Sequence, residues 1–191
     1  MASRGKCSMN HQFGLCPPSP CGENVGQLAS HFQGPFMTIE RRRTREVRIG
    51  SVRIGGDNPV VVQSMANTDT RDVDATVAQI RALAAVGCEV VRLAVLNEAA
   101  AAAIGPIRAA SPVPLVADIH FDHRLAVAAL EAGVDALRIN PGNIGGEANV
   151  ARVVDAARAR GACIRVGVNS GSVEKDLLER FGGPTPEAMV E

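Results

Sequence analysis

An α/β fold, specifically a partial TIM (β/α)8 barrel of about five βα units, is predicted by three features of this 191-residue chain. Apolar runs of strand length alternate with stretches of helical period, one pair every 20 to 30 residues or so, which is the rhythm of successive βαβ units and a parallel sheet. The chain has no Trp or Tyr and only 5 Phe, so its core must be built from Ala, Val, Leu and Ile, as parallel α/β packing favours. Polar residues recur at the C-terminal ends of strand after strand, where barrel enzymes carry their chemistry.

The elements follow in order. Residues 1–36 show no sustained period and many turn formers, and are expected to form a disordered leader or the product of a mis-called upstream start. Residues 37–191 are expected to form the N-terminal part of the barrel, ending before closure. EVRIG and SVRIGG, joined almost without a linker, predict a short β-hairpin. VVVQSM (60–65) predicts a strand. A helix from Asp72 to about Val86 places Val73, Val77, Ile80, Leu83 and Ala84 on one face.

EVVRLAV (89–95) predicts the next strand, followed by an Ala-rich helix from Glu98 that Gly105-Pro106 should kink or split. VPLVADIHF (113–121) and VDALRIN (134–140) predict two more strands. Their helices run over 123–132 and 147–160 and end at Gly133 and Gly161. ACIRVGVNSG (162–171) predicts the fifth strand, with Ser172 as N-cap of a helix over 173–181.

A doubly wound open sheet fits the same alternation. The dinucleotide-binding version would need G-x-G-x-x-G after its first strand, and VVQSMANTDTRD has none. An arc of five strands falls short of the eight that close a barrel and exposes an edge.

Composition limits the partners. Lys plus Arg (20) equal Asp plus Glu (20), which removes the electrostatic warrant for nucleic acid or an anionic membrane, so any basic site must be local. No apolar run approaches the roughly 20 residues of a membrane helix, and no secretory h-region opens the chain, so a cytoplasmic location is the default. Cys7, Cys16, Cys21, Cys88 and Cys163 form no C-x-x-C pair. The first three with His11 match no standard zinc spacing, and Cys88 and Cys163 read as small core residues; no metal ligand is assigned. The run RRRTR at 41–45 reads as a solvated segment.

Arginines inside apolar strands carry the functional signal. Arg92 in VVRLA, Arg138 in LRI and Arg165 in IRV share one setting, and period-two alternation sends all three the same way from the same depth. A buried charge without a partner costs several kcal/mol or more, so each needs a carboxylate or an anionic ligand. Asp118 is the candidate carboxylate, and one carboxylate cannot neutralise three guanidiniums. The excess argues for an anion of about two charges, such as a diphosphate. Asn140, Asn143 and Asn169 can add neutral hydrogen bonds, and PGNIGG can offer backbone N–H groups at a helix start. His120 follows Asp118 on the same face; a catalytic, ligand-orienting or structural role is open to it. Gln63, Ser64 and Asn67 end the first barrel strand and could line the site.

VVVQSMANTDTRDV, VPLVADIHFDHRLA, LRINPGNIG and RVGVNSGSVEKDLLERFGGPTPEA, in that order, resemble the N-terminal barrel of the 4-hydroxy-3-methylbut-2-enyl diphosphate synthase family. The resemblance runs from about Thr44 to Glu191. It implies an iron-sulfur oxidoreductase that reductively opens 2-C-methyl-D-erythritol 2,4-cyclodiphosphate in non-mevalonate isoprenoid biosynthesis. A [4Fe-4S] cluster would be fed by ferredoxin or flavodoxin, and the full-length form would be a homodimer.

The resemblance also implies that Arg92, Arg138 and Arg165 clasp the diphosphate with help from Asn140 and Asn169, while Asp118, His120 and Asn143 map onto the same mouth. It does not reach the family's C-terminal domain, whose three cysteines and glutamate hold the cluster. The expectation is therefore a fragment carrying only the diphosphate-binding half, inactive alone, with its catalytic residues unassigned. A dihydropteroate-synthase-like transferase barrel and a non-catalytic phospholigand-binding fragment are the competing readings.

Overall fold

The computed structural model describes residues 42–191. The leader expected over 1–36, with Cys7, His11, Cys16 and Cys21, lies outside the described residues.

The paired VRI segments form the expected hairpin, β1 (Val47–Ile49) and β2 (Val52–Ile54), antiparallel with Ile49 opposite Val52. Five parallel strands follow in the order β3-β4-β5-β6-β7: β3 (Gln63–Met65), β4 (Val90–Ala94), β5 (Leu115–Ile119), β6 (Ala136–Ile139) and β7 (Cys163–Val166). Helices α1 (Val73–Ala85), α2 (Glu98–Ala110), α3 (His123–Glu131) and α4 (Glu147–Arg160) alternate with them, and α5 (Lys175–Phe181) and α6 (Pro186–Val190) end the chain. Among the described residues this is a barrel wall of five βα units, with β3 and β7 as its edge strands.

Period-two alternation divides each strand between two environments. Val91, Leu93, Leu115, Ala117, Ile119, Leu137 and Ile139 pack beneath Ile80, Ile104, Ile107, Leu130 and Val153 of the helices. On the inner face, Val90, Val116 and Ala136 meet Ile49 of the hairpin, with Val52, Val61 and Cys163 beside them. The hairpin therefore floors the inner face at the N-terminal ends of the strands, and the polar residues begin one inward position above it.

Three expectations need correction. The helix holding Gly105-Pro106 runs unbroken from Glu98 to Ala110. Ile104 and Ile107, on either side of the proline, are fully buried and anchor both halves, so packing overrides the lost hydrogen bond. The 60–65 strand is hydrogen-bonded as a strand only over Gln63–Met65, at the sheet edge. Val62 still contributes, its carbonyl accepting from Glu89 N and Val90 N. Ser172 does not cap α5, whose N-cap is Glu174. It closes a 3-10 turn, Ser170–Ser172, that Asn169 caps.

The hairpin turn is seated on the half-buried carboxylate of Asp135. Asp135 accepts from Leu115 N at 2.9 Å and from Arg108 Nε at 2.7 Å, tying the starts of β5 and β6 to α2. Gly50 adopts φ +56°, and a Cβ there would stand 2.7 Å from Asp135 Oδ1. Gly50→Ala is expected to cost about 1–3 kcal/mol, from left-handed backbone strain and overpacking together, read as a lowered urea midpoint.

Candidate functional site

The inner face above the hydrophobic floor begins with Arg92. In the sheet register Met65, Arg92, Val116, Ala136 and Cys163 form one row, and Ala94, Asp118, Arg138 and Arg165 form the next row toward the C-terminal ends. The three arginines share a face, as period two requires, but not a depth: Arg92 starts one row lower. Its guanidinium reaches up to the second row and pairs with Asp118 Oδ2.

Asp118 is the hub. It is 1% exposed, and Arg92 Nη2, Arg138 Nη1 (3.4 Å) and His120 Nε2 (3.3 Å) surround its two oxygens. Arg165 lies opposite Arg138 in register and is exposed, with no ion-pair partner among the described residues. Arg92 Nε is buried without a hydrogen-bond partner among those residues. Three arginines on this face against one carboxylate leave a formal excess of two positive charges above an apolar floor. Such a group attracts a compact dianion, and arginine's planar fork suits phosphate oxygens.

The asparagines take a different part from the arginines. Asn140 is 2% exposed, and both ends of its amide are engaged: Oδ1 accepts from Gly142 N at 3.2 Å and Nδ2 donates to Ser172 Oγ at 2.8 Å. Asn169 Oδ1 accepts from Gly171 N at 3.0 Å. Ser172 Oγ accepts from Asn169 N and donates to Asn169 O, so this one hydroxyl clasps the loop after β6 to the loop after β7. Gly142 lets the two backbones close up, since a Cβ there would stand 2.4 Å from Ser172 O. Asn140 and Asn169 thus shape the mouth through their own turns. Asn143 ends the 3-10 turn Pro141–Asn143 half-buried, its N–H donating to Asn140 O. Helix α4 starts beside it after Gly146 with no side-chain cap, leaving first-turn N–H groups without a side-chain acceptor.

Other candidates from the strand ends disperse. Gln63 pairs in register with Val90 of the inner face, but Ser64 pairs with Val91 of the helix-packed face. Asn67 is drawn to α1, where Gln79 Nε2 donates to its Oδ1 and Gln79 Oε1 accepts its N–H. Sequence reasoning missed Ser172 as a clasp. The signal was the N-S-G-S run after a strand, which permits a capped 3-10 turn as readily as a helix start.

The loop carrying His120 is held by its neighbour Asp122, the N-cap of α3, which accepts from Arg124 N at 2.8 Å and from the Arg124 guanidinium. Those side-chain hydrogen bonds first, and the backbone one next, lower the Asp122 carboxyl to about 2. A depressed folded-state value means the contribution is present above the ordinary carboxylate range, near 4, and is lost as pH falls toward 2. Carboxyl NMR titration of Asp122 should show that low midpoint, and Arg124→Ala should return it toward 4.

The family model described as GcpE TIM-barrel domain matches residues 44–191. The 4-hydroxy-3-methylbut-2-en-1-yl diphosphate synthase (flavodoxin) of Nitratidesulfovibrio vulgaris is 76% identical over 168 residues, 87% of this chain and 44% of that protein. The protein of the same name from Maridesulfovibrio salexigens is 66% identical over 153 residues, 80% of this chain and 43% of that protein. The chain therefore spans less than half the length of these relatives. Among solved structures, the 7,8-dihydropteroate synthase from Vibrio fischeri ES114 is similar with a TM-score of 0.48 and 10% identity, over 73% of this chain and 58% of that one.

Proposed function

The chain belongs to the GcpE TIM-barrel family, and from that premise we propose that residues 42–191 carry the diphosphate-binding half of a 4-hydroxy-3-methylbut-2-enyl diphosphate synthase. The reaction is the reductive ring opening of 2-C-methyl-D-erythritol 2,4-cyclodiphosphate in non-mevalonate isoprenoid biosynthesis. One observation supports the reading most: three arginines lie on one sheet face where a single buried carboxylate pairs with only two of them.

In this reading Arg165 and Arg138 meet the phosphate oxygens directly. Arg92, deeper and locked to Asp118, holds that carboxylate in place and adds its charge from below. Asp118 keeps the two inner guanidiniums apart and oriented when no anion is bound, which lowers the cost of ordering them on binding. His120, 41% exposed and beside Asp118, faces the mouth where it can orient the ligand. The uncapped start of α4 offers backbone N–H groups to the same anion.

The family's electron transfer is supplied by a [4Fe-4S] cluster. Among the described residues no three His, Cys, Asp or Glu side chains stand together as a metal site, and Cys88 and Cys163 pack in separate clusters on opposite faces of the sheet. These residues do not fit the cluster. The relatives' names carry flavodoxin, and we propose it as the electron donor here, with a cytoplasmic location and a homodimeric full-length form. Among the described residues no helix is long and apolar enough to cross a membrane.

Calorimetric titration of the 191-residue chain tests the reading. The cyclic diphosphate and inorganic pyrophosphate should both bind saturably, monophosphate more weakly, and added salt should weaken all three. Failure of both diphosphates to bind would overturn it. A general phospholigand-binding protein would share this site, and tighter binding of the cyclic diphosphate than of inorganic pyrophosphate separates the two.

A further inference from the structure

We propose that Gly167 is a positioning residue for the anion site: the side chain it lacks leaves the seat on which the Arg138 guanidinium rests. The inference depends on the reading above only in taking Arg138 as a group that meets the diphosphate. A Cβ built on Gly167 would stand 2.5 Å from Arg138 Nε, 2.6 Å from Nη2 and 2.9 Å from Cζ. All three distances are shorter than real contacts, and all three atoms belong to one planar group. The guanidinium therefore lies across the backbone of the neighbouring strand, with Nη1 turned to Asp118 on the other side.

Backbone conformation gives no reason for this glycine. Gly167 is not among the residues with positive φ, and its N–H continues the β7 ladder to Ile139 O at 2.9 Å. Any residue could adopt its backbone. Space alone excludes a side chain, and the occupant of that space is the far end of a flexible arginine. Gly142 provides the contrast, because there the added atom would strike the backbone oxygen of Ser172 at 2.4 Å. A methyl group at Gly142 must push two loops apart. At Gly167 it need only push the guanidinium off its seat, so the fold survives while Arg138 loses its orientation. Arg138 is thus held between Asp118 on one flank and the glycine backbone on the other.

The test compares Gly167→Ala, Arg138→Ala and the double variant of the 191-residue chain, with pyrophosphate as the calorimetric probe and circular dichroism to follow folding. Gly167→Ala should keep the parent's spectrum and bind pyrophosphate more weakly by about tenfold or more. The double variant should bind no worse than Arg138→Ala alone, because the space is then vacant. An independent reading is the Arg138 Nε–Hε resonance, identified by its loss in Arg138→Ala, which should shift in Gly167→Ala.

Parent-like binding by Gly167→Ala, with binding lost in Arg138→Ala, would overturn the positioning role and leave the diphosphate reading intact. Parent-like binding by Arg138→Ala would overturn the diphosphate reading instead. The resonance then decides the geometry alone, and an unmoved signal in Gly167→Ala ends the proposal. If Gly167→Ala fails to fold while the double variant folds, the clash with Arg138 is demonstrated; if both fail, the glycine serves the sheet and the proposal falls.

Discussion

Asp118→Asn is expected to lower the free energy of unfolding by about 3–5 kcal/mol, the largest single effect of any substitution in the site. The carboxylate is 1% exposed and meets two guanidiniums and His120. An amide of the same shape removes the one negative charge paired with them among the described residues and leaves Arg92, whose Nε already has no partner there, beside an unneutralised Arg138. A loss of that size takes a large fraction of the roughly 5–15 kcal/mol that holds a domain together. Urea denaturation of the two proteins would read it directly.

The same variant should be rescued by its own ligand. Pyrophosphate at a hundredfold excess over its dissociation constant would return about 2.7 kcal/mol through binding to the folded state alone. The parent, whose inner arginines already have a carboxylate, should gain no more than the variant does. A variant that is no less stable than the parent would show that Asp118 is not the counter-ion the cluster relies on.

Arg165→Ala should have the opposite profile. Arg165 is exposed, and no acid is paired with it among the described residues, so its removal should change stability by less than about 0.5 kcal/mol. Its loss from the binding reaction removes a charge-assisted contact of about 1.5–3 kcal/mol, or about 10- to 150-fold in affinity for the diphosphate. Arg138→Ala, in contrast, should lower both affinity and stability, because it withdraws one of the two arginines that neutralise Asp118. Calorimetry and denaturation on the two variants would separate the roles, and an Arg165 variant that binds as well as the parent would remove that residue from the site.

Much of the fold was readable because its two periods are clean. Alternation at period two located β4, β5 and β6 within a residue or two, Gly161 marked the end of α4, and the helix expected from Asp72 starts one residue later, with Asp72 as its N-cap. The features that escaped are those decided by tertiary contact. Pro106 does not interrupt α2, because Ile104 and Ile107 are buried on both sides of it, and no local propensity records that burial.

Helix α6 carried a local signature, Thr185 as N-cap followed by Pro186, at a point where the sequence reading simply ran on to the end. In the site, the shared face of the arginines followed from parity. Their depths did not, because strand register is set between strands rather than along them, and it puts Arg92 one row below Arg138. The asparagines read as ligand contacts because Asn is a versatile donor. The structure engages Asn140 and Asn169 in Asx turns, and Asn140 also in the clasp to Ser172, which only the neighbouring loop could reveal.

The hairpin floor has an electrostatic consequence. Ile49, with Val90, Val116 and Ala136, forms a layer of hydrocarbon at the foot of the arginine cluster, which limits how far water can screen the positive charges from that side. Field lines that would otherwise be quenched in solvent below the cluster are turned outward through the mouth, and the cluster projects its potential in one direction. The reach of the site toward an approaching anion is thus governed in part by aliphatic side chains that never touch it.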